Sequence, residues 1–218
     1  MAKDKKIILY ILLAVALVAP QRVQAAAAPD NNGDLPLLEE IQNRAAQVKS
    51  FSCKFTQERH LAIFSQPVIF HGFLYLIRPD HLRWEFRDPI PSLLLFSGDK
   101  GMRCNDDAPP VHFDLKSDPV MRLVAEQLWT WLDGNYTKLG ETYDVKQQGD
   151  ATLVITPKDA AMASFIATIT ITFARENRQP ELVKISEPGG DMTLIRFHDY
   201  NLDAHLPKKL FVECGAGE

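Results

Sequence analysis

A series of short β-strands, several of them apolar on both faces, constrains this fold more than any other feature. From Phe51 the hydrophobic period is two, because Phe51, Cys53 and Phe55 alternate with polar residues. Short turns separate the strands, and such links join antiparallel neighbours, because a parallel return needs a crossover of roughly a dozen residues. The next strands are predicted over Val68–Ile77, Leu82–Arg87, Leu93–Ser97 and Met102–Asn105.

The strand Val68–Ile77 shows why both faces of the sheet need a cover. An antiparallel sheet with one face in water alternates apolar and polar residues, and this strand does not. We therefore expect helices over one face, while an apolar ligand is a candidate cover for the other. One face of the strand carries Val68, Phe70, Leu74 and Leu76, and the other carries Ile69, Phe73, Tyr75 and Ile77.

Two helices are predicted. Asp34 can cap the first, which has Pro36 in its first turn and apolar residues at helical spacing. Asp118 and Pro119 mark the start of the second, and Gly134 is its natural stop. Apolar residues cover more than one stripe of the second helix, so we expect it to be enclosed or to cap a cavity.

The rest of the chain is again strand-like, so one mainly β domain with few helices (α+β) is predicted. No internal repeat is visible, and 46% hydrophobic residues is too high a share for a disordered chain. The remaining predicted strands are Tyr143–Gln147, Thr152–Thr156, Phe165–Arg175, Leu182–Glu187, Met192–Tyr200 and Leu210–Glu213.

The N-terminus has the layout of a cleavable export signal. Lysines at 3, 5 and 6 precede an apolar run from Ile7 to Val18 and a small-residue stretch, and cleavage is predicted after Ala25. An uncleaved anchor is the alternative, but the run is shorter than the roughly 20 residues of a membrane-spanning helix. We therefore predict a signal peptide at 1–25, a flexible leader at 26–33 and the folded domain at 34–214. No cysteine near the cleavage point could accept a lipid.

The net charge and the number of cysteines limit which partners, disulfides and metal sites this chain can have. Removing residues 1–25 takes away four basic residues and Asp4, which leaves 20 basic and 27 acidic residues, a net charge of about −7. Such a surface repels phosphate backbones, so nucleic acid is not an expected partner. Cys53, Cys104 and Cys214 allow at most one disulfide and leave one thiol, and their spacing is not that of a zinc site.

No catalytic motif stands out. The sequence has no Gly-x-Ser-x-Gly elbow, His-Glu-x-x-His pair or glycine-rich phosphate loop. The nearest approach to a metal cluster is His198, Asp199, Asp203 and His205, for which polar residues around a turn are the simpler interpretation. We predict a protein that is not an enzyme and has no cofactor or metal.

Two features stand above this background. Aromatic and aliphatic residues are in excess on the predicted strands, and they form either an ordinary core or a binding surface. Arg78 ends an apolar strand directly before Pro79. It is either a solvated turn residue or a donor to loop carbonyls that holds a lid shut.

These residues resemble the LolA family of periplasmic carriers of outer-membrane lipoproteins. Each match is short, but together they keep the family's order over residues 34 to about 213. The matching pieces are Ser50-Phe51, Phe55-Thr56-Gln57, Gly72-Phe73-Leu74, Arg78-Pro79, Trp84, Ser97-Gly98 and Leu153 to Lys158.

The resemblance implies an incomplete antiparallel β-barrel with a helical lid over a hydrophobic cavity that holds acyl chains. Arg78 falls on the position of the family's lid-latching arginine. The implied cavity residues are Phe51, Phe55, Leu82, Trp84 and Leu94 on the sheet and Val120 and Leu123 on the lid helix.

The predicted function is a monomeric periplasmic carrier that takes lipoprotein acyl chains from an inner-membrane release transporter to an outer-membrane acceptor. A carrier of a glycolipid or another envelope lipid is the alternative within the same fold. An exported acyl hydrolase is a third reading, from a different class, and the missing nucleophile motif counts against it.

Overall fold

A single open antiparallel sheet dominates the computed structural model, which describes residues 36–105, 108–132 and 139–215. Within these ranges, eleven strands lie in the order β6-β5-β4-β3-β2-β1-β11-β10-β9-β8-β7. The two edge strands, β6 and β7, do not pair, so the predicted incomplete barrel is confirmed. The strands are β1 (Ser50–His60), β2 (Val68–Ile77), β3 (His81–Asp88), β4 (Ser92–Ser97), β5 (Lys100–Asn105), β6 (Ala108–Asp114), β7 (Tyr143–Gln148), β8 (Thr152–Pro157), β9 (Thr168–Phe173), β10 (Pro180–Ser186) and β11 (Met192–Leu202).

The strand order makes the sheet a meander joined in the middle. Each strand pairs with its neighbours in sequence, and the pairing of β1 with β11 joins the two halves of the chain. The connection from β6 to β7 leads from one open edge to the other and contains the long second helix. This connection therefore brings a helix to the opening of the barrel.

Two long helices are present, and the second begins at its predicted cap, Asp118. Helix α1 (Pro36–Gln47) and helix α2 (Pro119–Leu132) match the two predicted helices. Asp118 Oδ1 accepts hydrogen bonds from the backbone N–H groups of Val120 (3.1 Å) and Met121 (3.0 Å), which is the geometry of an N-cap. Two short helices follow, α3 (Leu139–Thr142) and α4 (Ala160–Ala163). In the described part of the chain, no helix is long and apolar enough to cross a membrane.

The predicted signal peptide (1–25), leader (26–33), cap Asp34 and helix stop Gly134 lie outside the described residues. They remain predictions.

One face of the sheet, called the inner face below, carries two adjoining apolar clusters. The first lies on β1 to β4 and β11 beneath α2, and it includes Phe55, Leu74, Trp84 and Met121. The second lies on β7 to β9 beneath α1 and α3. Apolar packing thus holds α1 and α2 on the inner face, as expected from the prediction that helices cover one face of the sheet.

Three strand predictions need correction. Strand β6 was not predicted because Pro109 and Pro110 interrupt it; as an edge strand it tolerates residues that cannot donate to a ladder. The predicted strand Phe165–Arg175 is too long, since β9 covers only Thr168–Phe173. The prediction of a strand at Leu210–Glu213 is wrong, because Lys208–Phe211 form a 3-10 helix whose apolar end packs on the sheet.

That C-terminal segment is fixed to the opposite, outer face of the sheet. Arg83 is 1% exposed; its Nη1 donates to the carbonyls of Leu210 (3.0 Å) and Glu213 (2.9 Å), and its Nη2 to that of Cys214 (3.0 Å). Its Nε lies 2.6 Å from Glu85. A disulfide joins Cys104 to Cys214, which leaves Cys53 as a buried free thiol.

Candidate functional site

An aromatic cluster forms the centre of the inner face beneath α2. Phe55 contacts Trp84 and Phe86 edge-on, with ring centroids 5.5 and 5.1 Å away, and Phe197 lies 6.4 Å away. The Phe55 ring lies over its cross-strand partner Gly72, where an added Cβ would come within 2.6 Å of the ring and 2.0 Å of the Glu85 carbonyl oxygen. Only glycine leaves room for this packing.

The structure brings together the predicted cavity residues of the sheet. Each is at most 6% exposed, and all belong to the cluster beneath α2. They alternate with outward-facing residues along their strands and so share one face of the sheet. These residues are Phe51, Phe55, Leu82, Trp84 and Leu94.

Of the two predicted residues of the lid helix, only Val120 can be placed, and it lies outside this cluster. Val120 is 52% exposed, and the side chain of Leu123 lies outside what the structure describes. Met121, Val124 and Ala125 pack on the cluster instead, at helical spacing i, i+3 and i+4. The sequence contained this signal, since Leu128 and Leu132 continue the same stripe.

Where the structure describes the side chains, the helices pack closely on the sheet. A cavity of about 30 Å³ remains where α1, the end of α2 and the sheet meet, and Phe51, Leu74 and Leu132 help to line it. That volume has room for a few water molecules at most and not for an acyl chain. An acyl chain could therefore enter only if α2 or α1 moved away from the inner face.

Arg78 lies at this junction of helix and sheet. Its Nε donates to the carbonyl of Val48 (2.9 Å) at the end of α1, and its backbone N–H donates to the carbonyl of Lys49 (2.9 Å). Its side chain also lines the small cavity, together with Leu132 of α2. Arg78 thus binds a loop carbonyl next to both helices that cover the inner face.

The free thiol lies on the floor of the same cluster. Cys53 is 2% exposed, and burial raises the pKa of its thiol to about 12, because a thiolate there would lose its hydration. A hydrogen bond with Tyr200 opposes this shift but is the smaller effect. Cys53 is therefore unreactive as long as α2 covers the inner face.

The polar residues 198 to 205 do not all surround a turn, as the sequence suggested, because His198 and Asp199 lie on β11 and only Asp203 and His205 follow the strand. Asp199 pairs with Lys54 (2.9 Å) and His198 (3.4 Å), and the hydrogen bond with Lys54 is the main reason that the pKa of Asp199 is lowered. Asp203 accepts the Lys49 N–H (3.2 Å). Within the described residues, no group of three or more His, Cys, Asp or Glu could hold a metal ion.

Comparison with known structures supports the fold. An uncharacterized conserved protein from Thermus thermophilus superposes with a TM-score of 0.52 at 9% identity, over 80% of this chain and 92% of that one. A LolA superfamily protein from Nitrosomonas europaea superposes with a TM-score of 0.44 at 12% identity, over 81% of this chain and 97% of that one. A putative outer membrane lipoprotein-sorting protein domain from Vibrio parahaemolyticus superposes with a TM-score of 0.46 at 11% identity, over 81% of this chain and 94% of that one. At such identities the likeness concerns the fold alone, and of these three only the first superposition, with a TM-score above 0.5, supports it.

Sequence comparison gives the family. No curated protein matches the chain. Residues 46–214, most of the chain, match the family model described as outer membrane lipoprotein carrier protein LolA. This stretch contains the open sheet, α2, Arg78 and the predicted cavity residues of the sheet. The chain therefore belongs to the LolA family.

Proposed function

We propose that this protein is a periplasmic carrier that binds the acyl chains of lipoproteins between the inner face and α2. In this role it takes them from an inner-membrane release transporter to an outer-membrane acceptor. The observation that carries the proposal is the apolar inner face, covered by a helix from the connection between the edge strands β6 and β7. The family match and the predicted export signal support the periplasmic location.

Apolar burial provides the driving force for loading. Each methylene removed from water contributes about 0.8 kcal/mol, so an acyl chain with about 14 buried methylenes contributes roughly 11 kcal/mol. Loading replaces the contacts of Met121, Val124 and Ala125 with contacts of the acyl chain, so apolar surface stays covered on the sheet. The preference for the loaded over the empty arrangement is then a difference between two similar burial free energies. Because this difference is small, such a carrier can also release its cargo.

In this proposal Arg78 sets the balance between covered and uncovered arrangements. Its hydrogen bond to the Val48 carbonyl stabilises the arrangement in which α1 and α2 lie on the sheet. A hydrogen bond from a charged donor is worth about 1.5 to 3 kcal/mol, enough to favour cargo release by tenfold or more. Without it, loaded cargo would be retained.

Lipoprotein transfer by an Arg78→Leu variant tests this role. We expect loading to persist and delivery to the acceptor to fall. Arg196→Leu is the matched control, because Arg196 is an exposed arginine on β11 that pairs with Glu58 of β1 and with neither helix. Unchanged loading and delivery by Arg78→Leu would contradict the latch role.

Native mass spectrometry of protein purified from its own periplasm tests the cargo. A co-purifying lipoprotein supports the proposal. A co-purifying lipid without protein supports the second candidate, a carrier of another envelope lipid, which two unpartnered donors on the inner face favour. A protein that neither carries cargo nor takes up acyl chains in vitro would contradict both.

A further inference from the structure

Two buried donors lie on one row of the inner face. The register pairs Trp84 with Leu94, and Leu94 with Arg103, so the three side chains share a face on β3, β4 and β5. Met102 and Cys104, on either side of Arg103, belong to the apolar cluster of the outer face. Alternation along β5 therefore places Arg103 on the inner face.

Neither donor has an acceptor among the described residues. The indole Nε1 of Trp84 and the guanidinium Nε of Arg103 are both buried without a hydrogen-bond partner. Trp84 is 6% exposed, with Leu74 and Leu94 as cross-strand partners, and Arg103 is flanked by Leu94 and Val111. Burying an unpaired neutral donor such as the Trp84 indole costs about 1 to 3 kcal/mol. Arg103 as a whole is only half-buried, although its Nε is enclosed.

The row becomes more polar and more open from the centre of the sheet towards its edge. Cys53 and Leu74 lie at the buried end, Trp84 and Leu94 follow, and Arg103 and the 48% exposed Val111 lie at the β6 side. Trp84 and Arg103 are two strands apart, roughly 10 Å between their backbones. A molecule with an apolar tail, acceptor oxygens and a negative charge fits this order.

We propose that Arg103 and Trp84 bind the anionic, oxygen-rich head of an acyl lipid, with its chain directed towards Phe55 and Leu74. Arg103 contacts the phosphate or carboxylate, and the Trp84 indole donates to an ester or head-group oxygen nearer the chain. This inference rests on the proposed acyl-chain site and specifies the chemistry of the cargo. It predicts that the protein distinguishes lipids with the same chain by head-group charge.

Matched probes test this selectivity. Binding of 1-myristoylglycerol 3-phosphate and of 1-myristoylglycerol, both below their critical micelle concentrations, is measured by tryptophan fluorescence and native mass spectrometry. We expect the phosphate to bind at least about tenfold more tightly, the gain typical of a charge-assisted hydrogen bond. Myristate, the third probe, shows whether a carboxylate serves as well as a phosphate.

Variants assign the selectivity to residues. Arg103→Met keeps much of the side-chain volume but should lose the preference for phosphate while still binding 1-myristoylglycerol. Arg103→Lys should retain part of it, and Trp84→Phe should weaken binding of both glycerol lipids. Arg196→Met is the control, because Arg196 is an exposed arginine on β11.

The outcomes separate this inference from the proposed function. Equal binding of charged and neutral probes, or an unchanged preference in Arg103→Met, would overturn the inference and leave the acyl-chain site in place. Binding of neither probe would contradict the acyl-chain site itself, and the inference with it.

Discussion

Truncating the inner side of α2 should expose Cys53 to reagents. Met121 is 7% exposed and packs on the cluster that contains Cys53, so Met121→Ala removes contacts that exist only while α2 lies on the sheet. Such truncations cost about 2 to 5 kcal/mol. If Met121→Ala destabilises the covered arrangement by about 2 kcal/mol, the equilibrium shifts tenfold for each 1.36 kcal/mol. The fraction of molecules with α2 displaced then rises about 30-fold.

Alkylation of Cys53 by a maleimide measures this fraction. Cys53 is the single free thiol in a chain of three cysteines, and burial raises the pKa of its thiol to about 12, so reaction requires exposure. We expect the alkylation rate to rise about 30-fold in Met121→Ala. In Val120→Ala it should not change, because Val120 lies on the exposed side of the same helix.

Low concentrations of urea distinguish displacement of α2 from global unfolding. A local opening exposes little new surface, so its rate should hardly depend on urea, whereas global unfolding depends on it steeply. Equal rates in the wild type and Met121→Ala, or equal acceleration by Val120→Ala, would refute the proposed movement of α2.

Three further predictions concern the sheet and its attachments. Gly72→Ala should destabilise the fold by about 1 to 3 kcal/mol in urea unfolding, because its Cβ would overlap a carbonyl and an aromatic ring; an unchanged midpoint would contradict this packing. Arg83→Met should lower the free energy of unfolding by about 3 kcal/mol, because the buried Glu85, 7% exposed, loses an ion-pair partner. The double variant Arg83→Met/Glu85→Leu should regain part of that free energy in the same unfolding assay, because no unpaired carboxylate remains at 85. The hydrogen bond with Arg178 is the largest cause of the lowered pKa of Glu40, so its stabilisation is present at neutral pH and is lost as the carboxylate protonates. The melting temperature of Glu40→Gln should lie below that of the wild type at about pH 7, and the gap should shrink as the pH falls below about 4.3, the ordinary pKa of a glutamate; a constant gap would contradict the assignment.

Local sequence pattern predicted most of the sheet, because strand period and turn length are local properties. Strand β2 has the predicted bounds, Val68–Ile77, and Asp118 caps α2 as expected. Partners distant in the chain were not accessible in this way. The pairing of Cys104 with Cys214 and the carbonyl contacts of Arg83 depend on how the C-terminus packs, and they explain why Leu210 belongs to a 3-10 helix rather than a strand.

The main uncertainty at the candidate site was which side of α2 faces the sheet. Apolar residues occur on more than one side of this helix, so the pattern did not select one side; the LolA resemblance implied Val120, whereas Met121 packs on the sheet. Arg103 was not predicted as a site residue, since an arginine in a strand with one apolar face is ordinarily solvated. Its position became informative only when the register placed it beside Leu94 on the inner face.

Photolabelling with an acyl chain is the most direct test of the site beneath α2. The protein is loaded with a lipoprotein or lipid whose chain carries a diazirine, irradiated and digested, and the labelled residues are mapped. We predict labels on the inner face of β1 and β3 and on the Met121–Val124 side of α2. Labels confined to exposed apolar residues such as Ile63 and Phe64, with none beneath α2, would contradict a carrier that encloses its cargo between sheet and helix.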